Sequence, residues 1–161
     1  MAIALQYGHT KKGSDEMPLS WDEIQRNAIA FSKRWKDARR EKADAQPFVT
    51  EFVGVFGVDD PVKVGEHEKI VKISGARDKY IDFFWKGKIA IEMKSRGKDL
   101  DNAYQQLKDY MARIASEDVP DLWMVCDFET VQLRRRSTSE RFTFKLKDFR
   151  KHISRGSVIS G

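Results

Sequence analysis

Three charged side chains stand inside the most strand-like stretch of the sequence, Tyr80 to Lys94 (YIDFFWKGKIAIEMK). Asp82 lies in one apolar arm, Glu92 and Lys94 in the other, and a Lys86-Gly87-Lys88 turn separates the arms. Ionised groups among Ile, Phe and Trp are costly unless they are paired or bind a metal. Strand side chains alternate between faces, so Glu92 and Lys94 share one. The place of Asp82 depends on the turn. A two-residue turn at Lys86-Gly87 pairs Trp85 with Lys88 and puts Asp82 on the face opposite Glu92. A three-residue loop pairs Trp85 with Ile89 and sets Asp82 directly across from Glu92. It also sends Ile81, Phe83, Trp85, Ile89, Ile91 and Met93 together to the other face. Register follows the hydrophobic pattern, so the three-residue loop is expected.

Two opposed carboxylates repel, and a hard divalent cation relieves the repulsion. Mg²⁺ takes oxygen ligands and keeps several waters, so two carboxylates and a phosphate oxygen suffice for a site. Such a cation generates a nucleophilic hydroxide and stabilises charge on a phosphodiester. A lysine two residues on can orient or deprotonate the attacking water and neutralise phosphate charge. The triad therefore points to metal-assisted phosphodiester hydrolysis. Asp followed at a distance by Glu-x-Lys is common by chance, and a cross-strand salt-bridge cluster is the bland alternative. The apolar flanks, the consistent register and the polar loop and helix that follow favour chemistry.

Composition sets the limits. With 161 residues, 40% hydrophobic and 34% charged, the chain fits one domain with a proper core. The net charge of +5 is concentrated: Val131 to Gly161 holds nine Lys or Arg against two acids. A basic C-terminal third suits phosphate contacts. One cysteine, Cys126, excludes a disulfide framework and a Cys-rich zinc site. His9, His67 and His152 are too scattered for ligand spacing and read as surface or turn residues. No apolar run approaches the ~20 residues that span a bilayer. The N-terminus is too short in apolar residues for a secretory signal, so the chain is read as cytoplasmic, with no membrane partner.

The elements that must position the triad are legible in outline. Ser20 and Glu23 form a capping box, with Leu19 and Ile24 as its staple, and Ile24, Ala28, Phe31 and Trp35 keep helical spacing. Lys36 to Asp44 reads as a linker or a solvated extension. A second helix is expected from about Ala45 to Phe56, with Pro47 in its first turn and Gly57 ending it. A first strand is expected over Lys69–Ile73, ahead of the hairpin. Asp99 caps a helix from about Leu100 to Ser116 whose stripe is Leu100, Ala103/Tyr104, Leu107, Tyr110/Met111 and Ile114. Leu122 to Cys126 reads as a buried central strand. Thr130–Arg135 and Arg141–Leu146 form a final hairpin, and a short helix follows from about Lys147 to Ile153. The order gives an α/β chain with a mixed central sheet flanked by helices.

At this point the residues resemble a family. Asp82, nine residues, then Glu92-Met93-Lys94 has the form of the PD-(D/E)XK nuclease motif, with Ile81 where the motif has Pro. The text KIVKISGARDKYIDFFWKGKIAIEMKSRGKDLDNAYQQLKDYM, with AQPFVTEFVGVFGV before it and LWMVCDFETVQL after it, resembles the N-terminal endonuclease domain of MmeI-like, type IIL/IIG restriction–modification enzymes. The resemblance covers roughly Trp21 to Leu146. It implies an αβββαβ restriction-endonuclease-like core, Mg²⁺ dependence with Mn²⁺ as a substitute, and double-stranded DNA as substrate. Asp82 and Glu92 would be metal ligands, the Met93 carbonyl a further ligand, and Lys94 the water-positioning base. Gln106 and Tyr110 match a QxxxY pattern of the superfamily and share a helix face at i and i+4. For the acidic residue that many relatives carry on the helix before the sheet, Glu51 is the candidate, with Gln46 as plausible by position.

Such enzymes continue into methyltransferase and target-recognition domains, and no Asn-Pro-Pro-Tyr-like motif is present here. The expected organisation is a flexible lead-in over 1–18, one nuclease domain over 19–155, and a frayed end over 156–161 at a domain boundary of a longer parent. The expected function is the DNA-cleaving module of a restriction–modification enzyme, dimerising transiently on DNA. The alternatives are a stand-alone repair or junction nuclease, and a nucleic-acid-binding module that does not cut.

Overall fold

The computed structural model describes residues 19–154, so the expected lead-in and frayed end lie outside the described residues. Helix α1 spans Trp21–Trp35 and α2 spans Glu41–Val55. Strands β1 (Glu66–Val71), β2 (Lys79–Trp85) and β3 (Ile89–Met93) follow. Then come α3 (Leu100–Met111), β4 (Leu122–Cys126), β5 (Thr130–Arg135), β6 (Arg141–Lys145) and α4 (Phe149–Ser154). The six strands form one sheet in the order β1-β2-β3-β4-β5-β6. Every neighbouring pair is antiparallel except β3 and β4, which run parallel with α3 as their crossover. This is the expected mixed sheet with an αβββαβ core. No described helix is long and apolar enough to cross a membrane.

The local signals act where expected. Ser20 Oγ accepts the Glu23 N–H at 3.2 Å and the Glu23 carboxylate accepts the Ser20 N–H at 2.7 Å. Asp99 Oδ1 accepts the N–H groups of Asp101 and Asn102 at the start of α3. Ile24, Ala28, Phe31 and Trp35 are the buried residues of α1. They join Phe48 and Phe52 of α2 and Phe149 of α4 in an aromatic core against one sheet face. On the other face, Leu100, Ala103, Leu107 and Met111 of α3 cover Phe84, Ala90 and Val125. His67 sits beside the Phe83 ring and His152 stacks on Phe144, so both are half-buried packing residues rather than surface ones.

Three boundaries differ by three residues or more from the sequence expectation, and the others by two or fewer. Helix α2 begins at Glu41, not Ala45, which puts Pro47 inside the helix rather than in its first turn. Its first residue bonds to Ser95, far along the chain, and Arg40 before it makes no side-chain capping bond. Helix α3 ends at Met111 instead of Ser116. There Arg113 and Ile114 make tight i to i−3 bonds to Tyr110 and Met111, closing the helix in a turn. Strand β1 begins three residues early, right after Gly65, where a Cβ would meet the Phe84 carbonyl at 2.7 Å.

Phe48 is fully buried and touches the rings of Phe31, Trp35 and Phe128, so it ties α1, α2 and the sheet together. Phe48→Ala should cost about 3–5 kcal/mol of unfolding free energy. Ile70→Ala, at a half-exposed site on edge strand β1, should stay within about 0.5 kcal/mol. Urea unfolding of both variants checks the contrast.

Candidate active site

The hairpin closes through the three-residue loop. Trp85 pairs with Ile89, Phe84 with Ala90 and Phe83 with Ile91. Gly87 holds φ +71°, and the Lys88 N–H bonds back to the Trp85 carbonyl at 3.0 Å. Continuing this register brings Asp82 beside Glu92. The Met93 N–H donates to Asp82 Oδ2 at 2.6 Å, which fixes the carboxylate across the strand gap. The separation of faces is less clean than expected. Ile81 packs with Val71, Phe84 and Leu107 under α3, while Phe83, Trp85, Ile89, Ile91 and Met93 face α1 and α2. The carboxylates therefore lie on the side of the sheet that carries Phe84, Ala90 and the apolar stripe of α3, not on a wholly polar face.

Glu92 is 5% exposed, and its Oε2 has no hydrogen-bond partner. The other oxygen lies 3.9 Å from Lys94 Nζ. Lys94 sits just past the end of β3, where its N–H extends the parallel ladder to the Cys126 carbonyl at 2.8 Å. A third acid joins them. One carboxylate oxygen each from Glu41, Asp82 and Glu92 lies within 4.8 Å of the other two. Among the described residues this is the one such cluster of metal-ligating side chains. Burial pushes the Asp82 carboxyl up, and the Met93 N–H partly offsets the rise. Glu92 is held well above the ordinary carboxylate range, first by burial and then by the Asp82 charge, with Lys94 pulling the other way. Desolvation and like-charge crowding thus oppose full ionisation of the pair.

The residues fit a hard divalent cation. The donor set is all oxygen, and a buried carboxylate oxygen without a partner is the atom such an ion would satisfy. Tyr110 lies on α3 near enough for the charges of Glu92 and Asp82 to raise its phenol, after burial, which is the larger cause. Gln106 sits one turn earlier on α3, half-buried. Met93 contributes its amide to Asp82. Glu51 is not brought to the cluster: it accepts the Trp35 indole N–H at 2.7 Å and pairs with Arg34 at 2.9 Å. Gln46 is exposed. The acid that α2 does supply is Glu41, its first residue. A helix expected from about Ala45 leaves Glu41 in the linker before it, so the sequence does not single it out. An acid in the first turn, where Asp and Glu are favoured, is the signal that was present.

Comparison with known proteins agrees with this architecture. The sequence family described as MmeI, N-terminal domain, matches residues 26–160. Among solved structures, a chain of the DrdV–DNA complex determined by cryo-electron microscopy superposes with a TM-score of 0.52 at 15% identity. The match covers 85% of the present chain and 13% of that one. No curated protein matches the sequence.

Raised carboxyls mean that the folded state binds protons more tightly than the unfolded chain, so ionising them costs stability. In EDTA, stability should fall as pH rises from about the ordinary value of 4.5 through the pair's raised range, then level off. Glu92→Gln should remove most of this slope. A wild-type minus variant difference in Tm that does not change with pH would contradict the reading.

Proposed function

The chain belongs to the family of MmeI N-terminal domains, and from that premise we propose that it is the DNA-cleaving module of a restriction–modification enzyme, hydrolysing phosphodiester bonds with Mg²⁺. The observation that carries the reading is the Glu41–Asp82–Glu92 oxygen cluster with Lys94 at its edge. Asp82 and Glu92 would hold the cation, with Glu41 and the Met93 carbonyl as further ligands and Mn²⁺ able to substitute. When bound there, the ion supplies Lewis acidity toward the phosphate and lowers the pKa of a coordinated water.

The chain's own groups supply the rest. The Met93 N–H keeps Asp82 aimed at Glu92. Lys94, 3.9 Å from Glu92, orients or deprotonates the attacking water and offsets phosphate charge. Tyr110, whose raised phenol stays protonated, donates from α3 toward the phosphate or accepts from the lysine, with Gln106 beside it. The basic C-terminal third, with Arg134, Arg136, Arg141 and Lys145 around β5 and β6, supplies sequence-independent attraction to double-stranded DNA. One such site cuts one strand, so a double-strand break requires two copies together on DNA. Choice of sequence falls to methyltransferase and target-recognition domains of a longer parent, as in the enzymes this chain resembles.

Nicking of supercoiled plasmid tests the proposal. Wild-type protein with Mg²⁺ should nick, EDTA should abolish nicking, and Lys94→Ala should slow it by about 10²-fold or more. Equal rates for wild type and Lys94→Ala would refute the assignment of Lys94 and the mechanism with it.

A further inference from the structure

Helix α2 delivers Glu41 to the cluster, yet it has little cap of its own. Arg40 at the N-cap makes no side-chain capping bond, and Asp44 accepts the Arg40 N–H at a long 3.3 Å. What fixes the start of α2 comes instead from the segment after β3. Ser95 Oγ accepts the backbone N–H of Glu41 at 3.2 Å. Arg96 reaches back to the connection between α1 and α2. Its Nη2 donates to the carbonyls of Lys36 at 2.8 Å and Ala38 at 2.9 Å, and its Nε to Ala38 at 3.2 Å. The Arg96 backbone N–H donates to the Arg39 carbonyl at 3.0 Å. The guanidinium thus gathers carbonyls at the C-terminal end of α1, where a cation is also favoured by the helix dipole.

The segment that carries Arg96 is itself anchored. The Lys94 N–H is bound to Cys126, and the Gly97 N–H donates to the buried Asp127 carboxylate at 3.2 Å. Asp127 also accepts the N–H groups of Glu129 and Thr130, which ties the segment to the start of β5. Arg96 Nη1 lies 3.9 Å from Glu129, and the side chain is only 18% exposed. A rigid spur therefore starts with Lys94 and ends by setting where Glu41 begins its helix.

We propose that Arg96 is a positioning residue for the metal site: by clamping the carbonyls of residues 36, 38 and 39 it places Glu41 beside Asp82 and Glu92. The inference rests on the reading above that these carboxylates bind a divalent cation. Lysine cannot replace Arg96, because a single ammonium lacks the planar fork that spans two carbonyls. A merely structural Arg96 would stabilise the α1–α2 connection without changing cation affinity.

Mn²⁺ titration followed by electron paramagnetic resonance separates the two, with Tm recorded for each variant. Arg96→Ala should weaken Mn²⁺ binding by about 10-fold or more, the usual effect of losing an outer-shell support, and Glu41→Gln, which removes the ligand that Arg96 places, should weaken it at least as much. The double variant should be no weaker than Glu41→Gln alone, and Arg96→Lys should not restore affinity. Wild-type affinity in Arg96→Ala, whatever its Tm, or losses that multiply in the double variant, would overturn the proposal. If Arg96→Ala does not fold, Ser95→Ala carries the test. Weaker binding in it, with no further loss on top of Glu41→Gln, supports the clamp, and unchanged binding overturns it. Glu92→Gln distinguishes the two levels: if it binds Mn²⁺ as wild type does, or if wild type binds none, the cation site itself fails.

Discussion

The structure turns on one costly juxtaposition, two carboxylates opposed across adjacent strands with Glu92 almost wholly out of water. Neither oxygen pair can be left there without help. Part of the help is local, in the Met93 N–H on Asp82 and the ammonium of Lys94 near Glu92. The rest is withheld, in the form of a buried Glu92 oxygen that no protein group satisfies. A protein that only needed stability would do better with apolar residues at these positions. The surrounding architecture maintains the arrangement: the odd loop fixes register, α3 covers the apolar neighbours, and the parallel β3–β4 pairing holds the end of β3 in place.

Much of this was legible because each piece had a local cause. The register of β2 against β3 follows from requiring the apolar residues to share a face, and Trp85 does pair with Ile89. The capping box at Ser20 and the cap at Asp99 depend on side chains within three residues of the bonds they make. The stripe of α1 is simple helical periodicity. Ile81 shows the limit of the same reasoning: strict alternation places it with Phe83, but it joins the α3 side with Val71.

What the sequence hid were features with distant causes. The start of α2 depends on Ser95 and Arg96, more than fifty residues away in the chain. Pro47 suits a first turn, so the sequence suggests a helix from about Ala45, four residues after the observed start. The resemblance then points to Glu51 or Gln46 on that helix, and neither joins the cluster. Glu51 carries the right charge on the right helix, but the Trp35 indole and Arg34 engage it elsewhere. Position along a helix does not reveal which end meets the sheet when the helix has no autonomous start.

On the proposed reading, Glu41, Asp82 and Glu92 converge on one divalent cation. Crystals of the protein grown with Mn²⁺, measured for anomalous scattering, test it most directly. One strong peak is expected, with carboxylate oxygens of Asp82 and Glu92 at about 2.0–2.6 Å, and Glu41 beside it directly or through water. Well-ordered carboxylates with no peak between them, or a peak bound only by other residues, would contradict it.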